Sequence, residues 1–395
     1  MRILLLTDVY FPRINGVSTS IQTFAHEFIN KGHEVTLIAP DYGQHHDEPF
    51  EVIRIPSRYL PVDPEDRILK RGKIRELTPR LDARRFDILH VHTPFIAHYA
   101  GLNLSRELGI PVIESYHTFF EEYLDKYIPI IPRSWLKFAA RRFSSSQCNS
   151  VDGLIVPSQA MLEVLRGYGV TKDASVIPTG IKPDQFAQGN GHAFRTRYGI
   201  PEVRPVLVHM GRIAHEKNIG FLIDVLAAVS REIPDVLLVI AGDGPAKEAI
   251  RRDLHNRGLQ DHVLFVGYLK RDGELQDCFS AGNAFIFASR TETQGLVLLE
   301  AMALGTPVVS TAVMGTGEVL SDGDGAIISE EDVTCFAGHT VKLLRDSGLQ
   351  QALSRRGRDY ARRWSASALA DRMLGYYEQI IQQQVSAVQP VPSER

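Results

Sequence analysis

The sequence predicts an α/β protein made of two Rossmann-like, doubly wound domains. Short continuous apolar runs alternate with stretches of helical periodicity, the signature of parallel sheets with helical crossovers. The alternation occurs twice, before and after a polar stretch rich in Gly and Pro at residues 181–204 whose middle reads as a linker. The length of 395 residues suits two to three domains at roughly 150 residues each.

The elements follow in order. Ile3 to Leu6 form a first buried strand, and the loop TDVYFPRINGVSTS follows it. Phe24, Ala25, Phe28 and Ile29 recur at helical spacing, and Gly32 suits a left-handed cap before the strand EVTLIA. Strands then read at DILHVHT, PVIESYHT, DGLIVPS and SVIPTG, with helices at 97–108 and 160–167. After the break come PVLVHMG, VLLVIAGDG, VLFVGYL, NAFIFAS, TPVVST and GAIIS, six strands separated by helical stretches. In such sheets ligands bind at the carboxyl ends of the strands, so a cleft between the two halves is the expected site.

Composition narrows the function. Lys and Arg total 44 against 47 Asp and Glu, a net charge of −3, which disfavours a nucleic-acid partner. Cys148, Cys278 and Cys335 are odd in number and far apart, so neither a disulfide framework nor a CxxC metal site is written. A reducing cytoplasm is the simplest setting. MRILLLTDVYF is too short an apolar run for a signal peptide and Asp8 interrupts it, and no run approaches the ~18 residues that span a bilayer. Contact with a membrane is then expected from its cytoplasmic face.

The chemistry sits on loops that follow strands. In SRTETQGLVLLEAMALGTP, Glu292 precedes a helix that starts near Gly295 and carries Glu300. The amides of Gly295, Leu296 and Val297 at that start suit a phosphate, and carboxylates suit sugar hydroxyls. The competing reading is a pair of solvated helix charges. Apolar neighbours argue against it for Glu300, which needs a partner if buried. GRIAHEKN places Arg212 and Lys217 after a strand, where a guanidinium and an ammonium suit a diphosphate; the alternative is ordinary surface charge. Gly16, in NGV, precedes a helix that Ser18, Thr19 or Ser20 can cap, and an ordinary turn explains it equally. His117 ends the strand SYHT and suits a hydrogen bond to a sugar or phosphate, with His90 and His92 as alternatives. No third ligand accompanies HxH, so a metal is not expected. AGDGP reads as a tight structural turn after a strand, with lining of the nucleotide pocket as the alternative.

At these residues the chain resembles the retaining glycosyltransferases of family 4, which have the GT-B fold. The resemblance covers nearly the whole chain. The E-x7-E segment with its GLVLLEAMALGTPVV continuation carries it most specifically, and GRIAHEKN supports it. It implies an acceptor-binding domain at 1–185 and a nucleotide-sugar domain at 186–365. It further implies a helix at 366–385 that returns to the first domain; the residues after it, 386–395, read from their own composition as a disordered tail. On the resemblance, Arg212 and Lys217 bind the donor phosphates, Glu300 the ribose and Glu292 the transferred sugar. Gly16 approaches the diphosphate, His117 contacts the sugar near the reacting carbon, and Gly267, Tyr268 and Leu269 border the base. His117, Glu292, Arg212 and Lys217 form the implied catalytic set. Members work without a bound metal, and no DxD motif suited to Mg²⁺ stands near the expected cleft. The nucleotide-sugar is a substrate, so no cofactor is implied. No residue is a clear covalent nucleophile, which favours same-face attack with the leaving diphosphate taking the acceptor's proton.

Two segments point to a lipid acceptor. Residues 67–85 carry Arg67, Lys70, Arg71, Lys73, Arg75, Arg80, Arg84 and Arg85 against Glu76 and Asp82. Residues 133–143 mix Trp135, Leu136, Phe138 and Phe143 with Arg133, Lys137, Arg141 and Arg142, as suits a helix on an anionic membrane. An ordinary amphipathic helix with snorkelling cations is the alternative. HTFFEEYLDKY resembles the branch that glycosylates diacylglycerol. The expected reaction is glucose transfer from UDP-glucose to a diacylglycerol-type lipid at the inner face of the cell membrane. Mannose transfer from a GDP donor to a lipid or glycan stands second, and a nucleotide-sugar epimerase is the reading from another class. The sequence does not set the oligomeric state.

Overall fold

The computed structural model describes residues 1–395 except 45–46, 61–62, 118, 120–132, 321–323 and 389–395. Most of HTFFEEYLDKY therefore lies outside the described residues. The chain divides into two compact units, Met1–Gly180 with Ala366–Arg395, and Ile181–Ser365.

In the first unit, β1 (Arg2–Leu6), α1 (Gly16–Asn30), β2 (Glu34–Pro40) and β3 (Glu51–Ile55) lead to a hairpin of β4 (Ser57–Leu60) and β5 (Asp63–Leu69). Two short helices follow, α2 (Arg71–Arg75) and α3 (Thr78–Asp82). Then come β6 (Ile88–Val91), α4 (Ile96–Leu108), β7 (Val112–Ser115), α5 (Arg133–Cys148), β8 (Gly153–Val156), α6 (Gln159–Gly167) and β9 (Ala174–Val176). Seven strands form one parallel sheet in the order β3-β2-β1-β6-β7-β8-β9. The central strands are buried on both faces, which is why their sequences are continuous apolar runs rather than alternating ones.

The second unit begins where the sequence reads as a linker. Residues 181–204 are instead folded: a 3₁₀ turn at Pro183–Phe186 and α7 (Gly191–Tyr198) bury Phe186 and Phe194 in that unit's core. The Gly residues that suggest flexibility serve packing. A Cβ on Gly189 would lie 2.2 Å from the Gln276 carbonyl oxygen. Beyond it run β10 (Val206–Met210), α8 (Ile219–Glu232), β11 (Leu237–Ala241), α9 (Lys247–Asn256), β12 (Val263–Gly267), α10 (Glu274–Ala281) and β13 (Ala284–Phe287). The unit closes with α11 (Leu296–Ala303), β14 (Val308–Ser310), α12 (Gly315–Leu320), β15 (Ala326–Ile328), α13 (Val333–Arg345) and α14 (Ser347–Ala361). Its six strands are parallel in the order β12-β11-β10-β13-β14-β15.

The last helix, α15 (Ala366–Val388), belongs to the first unit. Leu369, Met373, Tyr376, Tyr377 and Ile380 lie in one core with Phe24 and Phe28 of α1 and Ile3 and Leu5 of β1. Their spacing is the apolar stripe of an amphipathic helix. Tyr376 Oη accepts a hydrogen bond from the Leu154 amide at 3.1 Å, tying the helix to β8.

The first switch of strand order lies at β1/β6 and the second at β10/β13, since in each sheet the chain runs outward from those pairs in both directions. Such points open a crevice at the carboxyl ends of the strands. The loops in question are 7–15 and 92–95 in the first unit, and 211–218 and 288–295 in the second.

One glycine shows how tightly the second set is packed. Gly242 has φ +130°, and a Cβ there would stand 2.0 Å from the Gly211 carbonyl oxygen. Gly258 also has positive φ, +67°, but nothing lies within 4 Å of its Cβ position. Gly258→Ala is expected to cost about 1–3 kcal/mol from backbone strain alone. Gly242→Ala should cost more and displace the Gly211–Asn218 loop. Urea unfolding of both variants, with hydrogen exchange of the 211–218 amides, measures the difference.

Candidate functional site

GRIAHEKN and SRTETQG occupy the two loops of the second switch point. Arg212 is half-buried just past β10. His215–Lys217 form a 3₁₀ turn that ends at Asn218, whose φ of +55° lets the chain enter α8. Lys217 is carried back toward the loop after β13, where its Nζ pairs with Glu292 Oε1. The two loops are thus joined by an ion pair whose side chains are each less than a fifth exposed. Asp243 and Gly244 of AGDGP brace the first loop from β11: the Ile213 amide donates to the Asp243 carbonyl at 2.9 Å and the Ala246 amide to that of Ile213 at 3.0 Å.

α11 begins at Gly295, whose φ of +87° turns the chain sharply from loop to helix. The amides of Leu296 and Val297 open its first turn, where no intrahelical acceptor exists. Glu300 lies one turn further on and is 3% exposed. The partner that a buried acid requires is Arg271, whose Nη2 donates to Glu300 Oε1. Arg271 sits in the loop after β12, with its guanidinium 5.6 Å from the centre of the Phe186 ring. Gly267, Tyr268 and Leu269 start the same loop. Gly267 accepts from the Gly242 amide at 2.7 Å, Leu269 is buried, and Tyr268 is exposed with its hydroxyl 3.4 Å from the Asp243 carbonyl.

His209 was not singled out from the sequence, yet it lies under these loops. Its Nδ1 donates to the Ile286 carbonyl at 3.1 Å and its ring packs on Phe287. Burial pushes its pKa down to about 4. Arg271 and His209 share one reason for being missed. Their roles arise from loops that meet only in the folded sheet, and nothing local marks a cation in KRDG or a histidine in VLVHM.

In the first unit, Gly16 is the first residue of α1 rather than the residue before it. Asn15 is the cap: its Oδ1 accepts from the Ser18 amide at 2.8 Å. Ser18 is fully buried and Ser20 accepts from Thr179 at 2.8 Å, so neither of these side chains caps the helix. Asp8, beyond β1, accepts from Thr93 Oγ1 at 2.8 Å and from the Ala97 amide at the start of α4. Burial outweighs these bonds and raises its pKa to about 6. His117 follows β7 with its Nε2 3.4 Å from His92 Nδ1, and His90 and His92 are buried beside it. Burial lowers His117 to about 4 and pulls His90 and His92 well below the usual histidine range.

The basic segment 67–85 is not one surface. It is split among β5, α2 and α3, and several cations are neutralised locally: Lys73 by Glu76 at 2.7 Å, Arg75 by Glu107 at 3.9 Å, and Arg80 and Arg84 by Glu51. Lys70, between the hairpin and α2, and Arg71, the first residue of α2, are exposed. On α5, Leu136, Ala140, Ser144 and Cys148 face inward at helical spacing. Trp135 and Phe138, 73% and 69% exposed, stand on the outer face with Arg141 and Arg142, and Lys137 is half-buried.

Two doubly wound parallel-sheet units give the GT-B fold, and the family matches make the protein a glycosyltransferase. Residues 14–185 match the family described as Glycosyltransferase Family 4, and residues 192–360 that described as Glycosyl transferases group 1. Alpha-monoglucosyldiacylglycerol synthase of Streptococcus pneumoniae is 36% identical over 333 residues, covering 82% of this chain and 74% of that protein. A GDP-mannose-dependent alpha-mannosyltransferase of Mycobacterium tuberculosis is 25% identical over 96% of this chain and 97% of its own. The solved sucrose-phosphate synthase of Thermosynechococcus elongatus shares the fold with a TM-score of 0.77 at 20% identity, over 97% of this chain and all of that one. The chain belongs to glycosyltransferase family 4.

The buried titrating groups of the first unit set its pH response. His90, His92 and His117 have folded pKa values below 6.5, so unfolding takes up protons and stability rises with pH between about 4 and 6.5. Asp8, raised from 3.8 to about 6, binds a proton more tightly when folded and opposes that rise. Asp8→Asn is therefore expected to steepen the pH dependence of first-unit stability, measured by urea midpoints across that range.

Proposed function

We propose that the protein is a glycolipid synthase working at an anionic membrane surface. In this reading it transfers glucose from UDP-glucose, with retention, to a diacylglycerol-type lipid. The observation that carries the reading is the outer face of α5. An exposed Trp and Phe three residues apart beside Arg141 and Arg142 are the residue types that enter a bilayer interface and hold anionic headgroups. The likeness to alpha-monoglucosyldiacylglycerol synthase supports the same acceptor class. Among the described residues no helix is long and apolar enough to cross a membrane. In this reading attachment is through the outer face of α5, with the exposed Lys70 and Arg71 adding to it, while Lys73 and Arg75 contribute less because Glu76 and Glu107 pair with them.

The second unit takes the donor and the first the acceptor. Arg212, Lys217 and the first amides of α11 stabilise the departing diphosphate, supplying with fixed charges and dipoles what a divalent cation supplies elsewhere. Glu300 accepts from the ribose hydroxyls and Glu292 orients the sugar. Gly16 leaves room for the diphosphate, Gly267, Tyr268 and Leu269 border the base, and His117 contacts the sugar near its reacting carbon. The acceptor hydroxyl attacks on the face that the diphosphate leaves. The new bond forms from acceptor oxygen to anomeric carbon as the carbon–phosphate-oxygen bond breaks, and the diphosphate takes the proton. A glycosyl group trapped covalently on Glu292 would overturn this course.

Nucleotide release from UDP-, GDP- and ADP-sugars, each with and without anionic vesicles containing diacylglycerol, tests the reading. UDP release from UDP-glucose that requires the vesicles is expected. Release from GDP-mannose instead favours the mannosyltransferase reading, and release indifferent to lipid moves the acceptor to a soluble sugar or glycan. Trp135→Ser with Phe138→Ser should abolish vesicle sedimentation while leaving UDP affinity unchanged. Glu300→Gln should raise the donor KM about tenfold or more, since a charge-assisted bond is lost and Arg271 is left buried beside a neutral amide.

A further inference from the structure

Behind the half-buried His117 the first unit buries two further imidazoles, His90 and His92. His90 is pinned at both nitrogens, its Nδ1 2.6 Å from Tyr377 Oη of α15 and its Nε2 2.8 Å from Ser115 Oγ of β7. His92 lies against it with ring centres 3.9 Å apart. The His92 and His117 rings are 5.7 Å apart at 18°. With Nδ1 and Nε2 at 3.4 Å, the two rings are nearly coplanar and meet edge to edge, the arrangement of a nitrogen-to-nitrogen hydrogen bond rather than of a stack.

The hydrogen-bond accounting then fixes where the protons lie. His92 Nε2 is buried and has no hydrogen-bond partner among the described residues. A bare lone pair is tolerated there better than an orphaned N–H, because unpaired buried donors are the rarer and costlier case. His92 thus carries its single proton on Nδ1, the nitrogen that faces His117. Neutral histidine has one donor and one acceptor nitrogen, so the acceptor on His117 is Nε2 and its own proton is on Nδ1. Burial keeps these imidazoles neutral, which makes the assignment apply at neutral pH.

We infer that His92 is the positioning residue for His117: its Nδ1–H donates to His117 Nε2, locking His117 as the Nδ1–H tautomer. His90, held by Tyr377 and Ser115, fixes the plane of His92 in turn. The inference deepens the proposed contact of His117 with the sugar and rests on it for its effect on catalysis, though not for the tautomer itself. His117 then meets the sugar as a hydrogen-bond donor through Nδ1, and the register of the donor is set by a residue that never touches substrate.

The test uses the full chain with ¹⁵N-labelled histidines, His117 being identified by the signal lost in His117→Ala. The expected result is the Nδ1–H tautomer for His117 in the unsubstituted protein and its loss in His92→Leu. Asn places its amide nitrogen where Nδ1 stood, and Gln places it near Nε2. His92→Asn should therefore keep kcat within about threefold, and His92→Gln and His92→Leu should lose about tenfold or more, with donor KM unchanged in all three, as expected for one net hydrogen bond of about 1.4 kcal/mol. Circular dichroism melts identify variants that fail to fold, and for these the tautomer of the unsubstituted protein decides. An Nε2–H tautomer in that protein, or a folded Asn variant no better than Leu, overturns the inference. Full activity in His117→Ala would instead remove the catalytic role of His117 and leave the tautomer result to judge His92.

Discussion

Both units are governed by one constraint of parallel sheets: every strand must be followed by a crossover, and all the crossovers of one sense leave from the same edge. Where strand order reverses, two neighbouring loops depart in opposite directions and leave backbone and side chains that the sheet does not cover. At β10 and β13 these loops carry Arg212, Lys217 and Glu292, with Gly295 at the far end. At β1 and β6 they carry Asp8, His92 and Thr93. The packing that supports them is backbone against backbone. The AGDGP turn is hydrogen-bonded to Ile213, and Gly242 and Gly315 are positions where a Cβ would strike a neighbouring carbonyl. The chemistry of the loops depends on sheets that hold their edges level.

The charges at the second switch point neutralise one another. Lys217 pairs with Glu292 and Arg271 with Glu300, all four being mostly withdrawn from water. A buried carboxylate without a partner would be costly, and a buried pair is stable chiefly because neither member can be removed alone. A nucleotide-sugar in the proposed reaction therefore exchanges partners with these side chains. Its phosphates compete for Lys217 and its hydroxyls for the two glutamates. The diphosphate adds two negative charges to a site whose paired side chains balance, and the cations freed from Glu292 and Glu300 are placed to meet them.

Most of the architecture was legible because buried parallel strands write themselves as short apolar runs. β1, β6, β10, β11 and β13 needed no context. The stretch 181–204 misled because polarity and glycine signal a linker only when the glycines are solvated, and Gly189 and Gly191 are pressed against α10. The basic segment 67–85 misled because a charge count carries no information about partners: Glu51 and Glu107, distant in sequence, neutralise part of it. At the site, Glu300 announced its need for a counter-ion through its apolar neighbours, but Arg271 could not be named from the sequence. The same holds for His90, His92 and Tyr377. HxH on a strand invites a metal, and only the position of α15 shows that His90 is satisfied by a tyrosine 287 positions further on.

The return of α15 to the first unit affects how the chain comes to be folded. The second unit is contiguous, and all its strands are available once residue 365 has been made. The first unit is split, and the hydrophobic floor formed by Ile3, Leu5, Phe24 and Phe28 has its cover on a helix that starts at Ala366. On the ribosome the usual vectorial order is therefore inverted: the half synthesised first is the half that matures last. Its apolar surface waits through the synthesis of an entire neighbouring domain, and α15 acts as the latch.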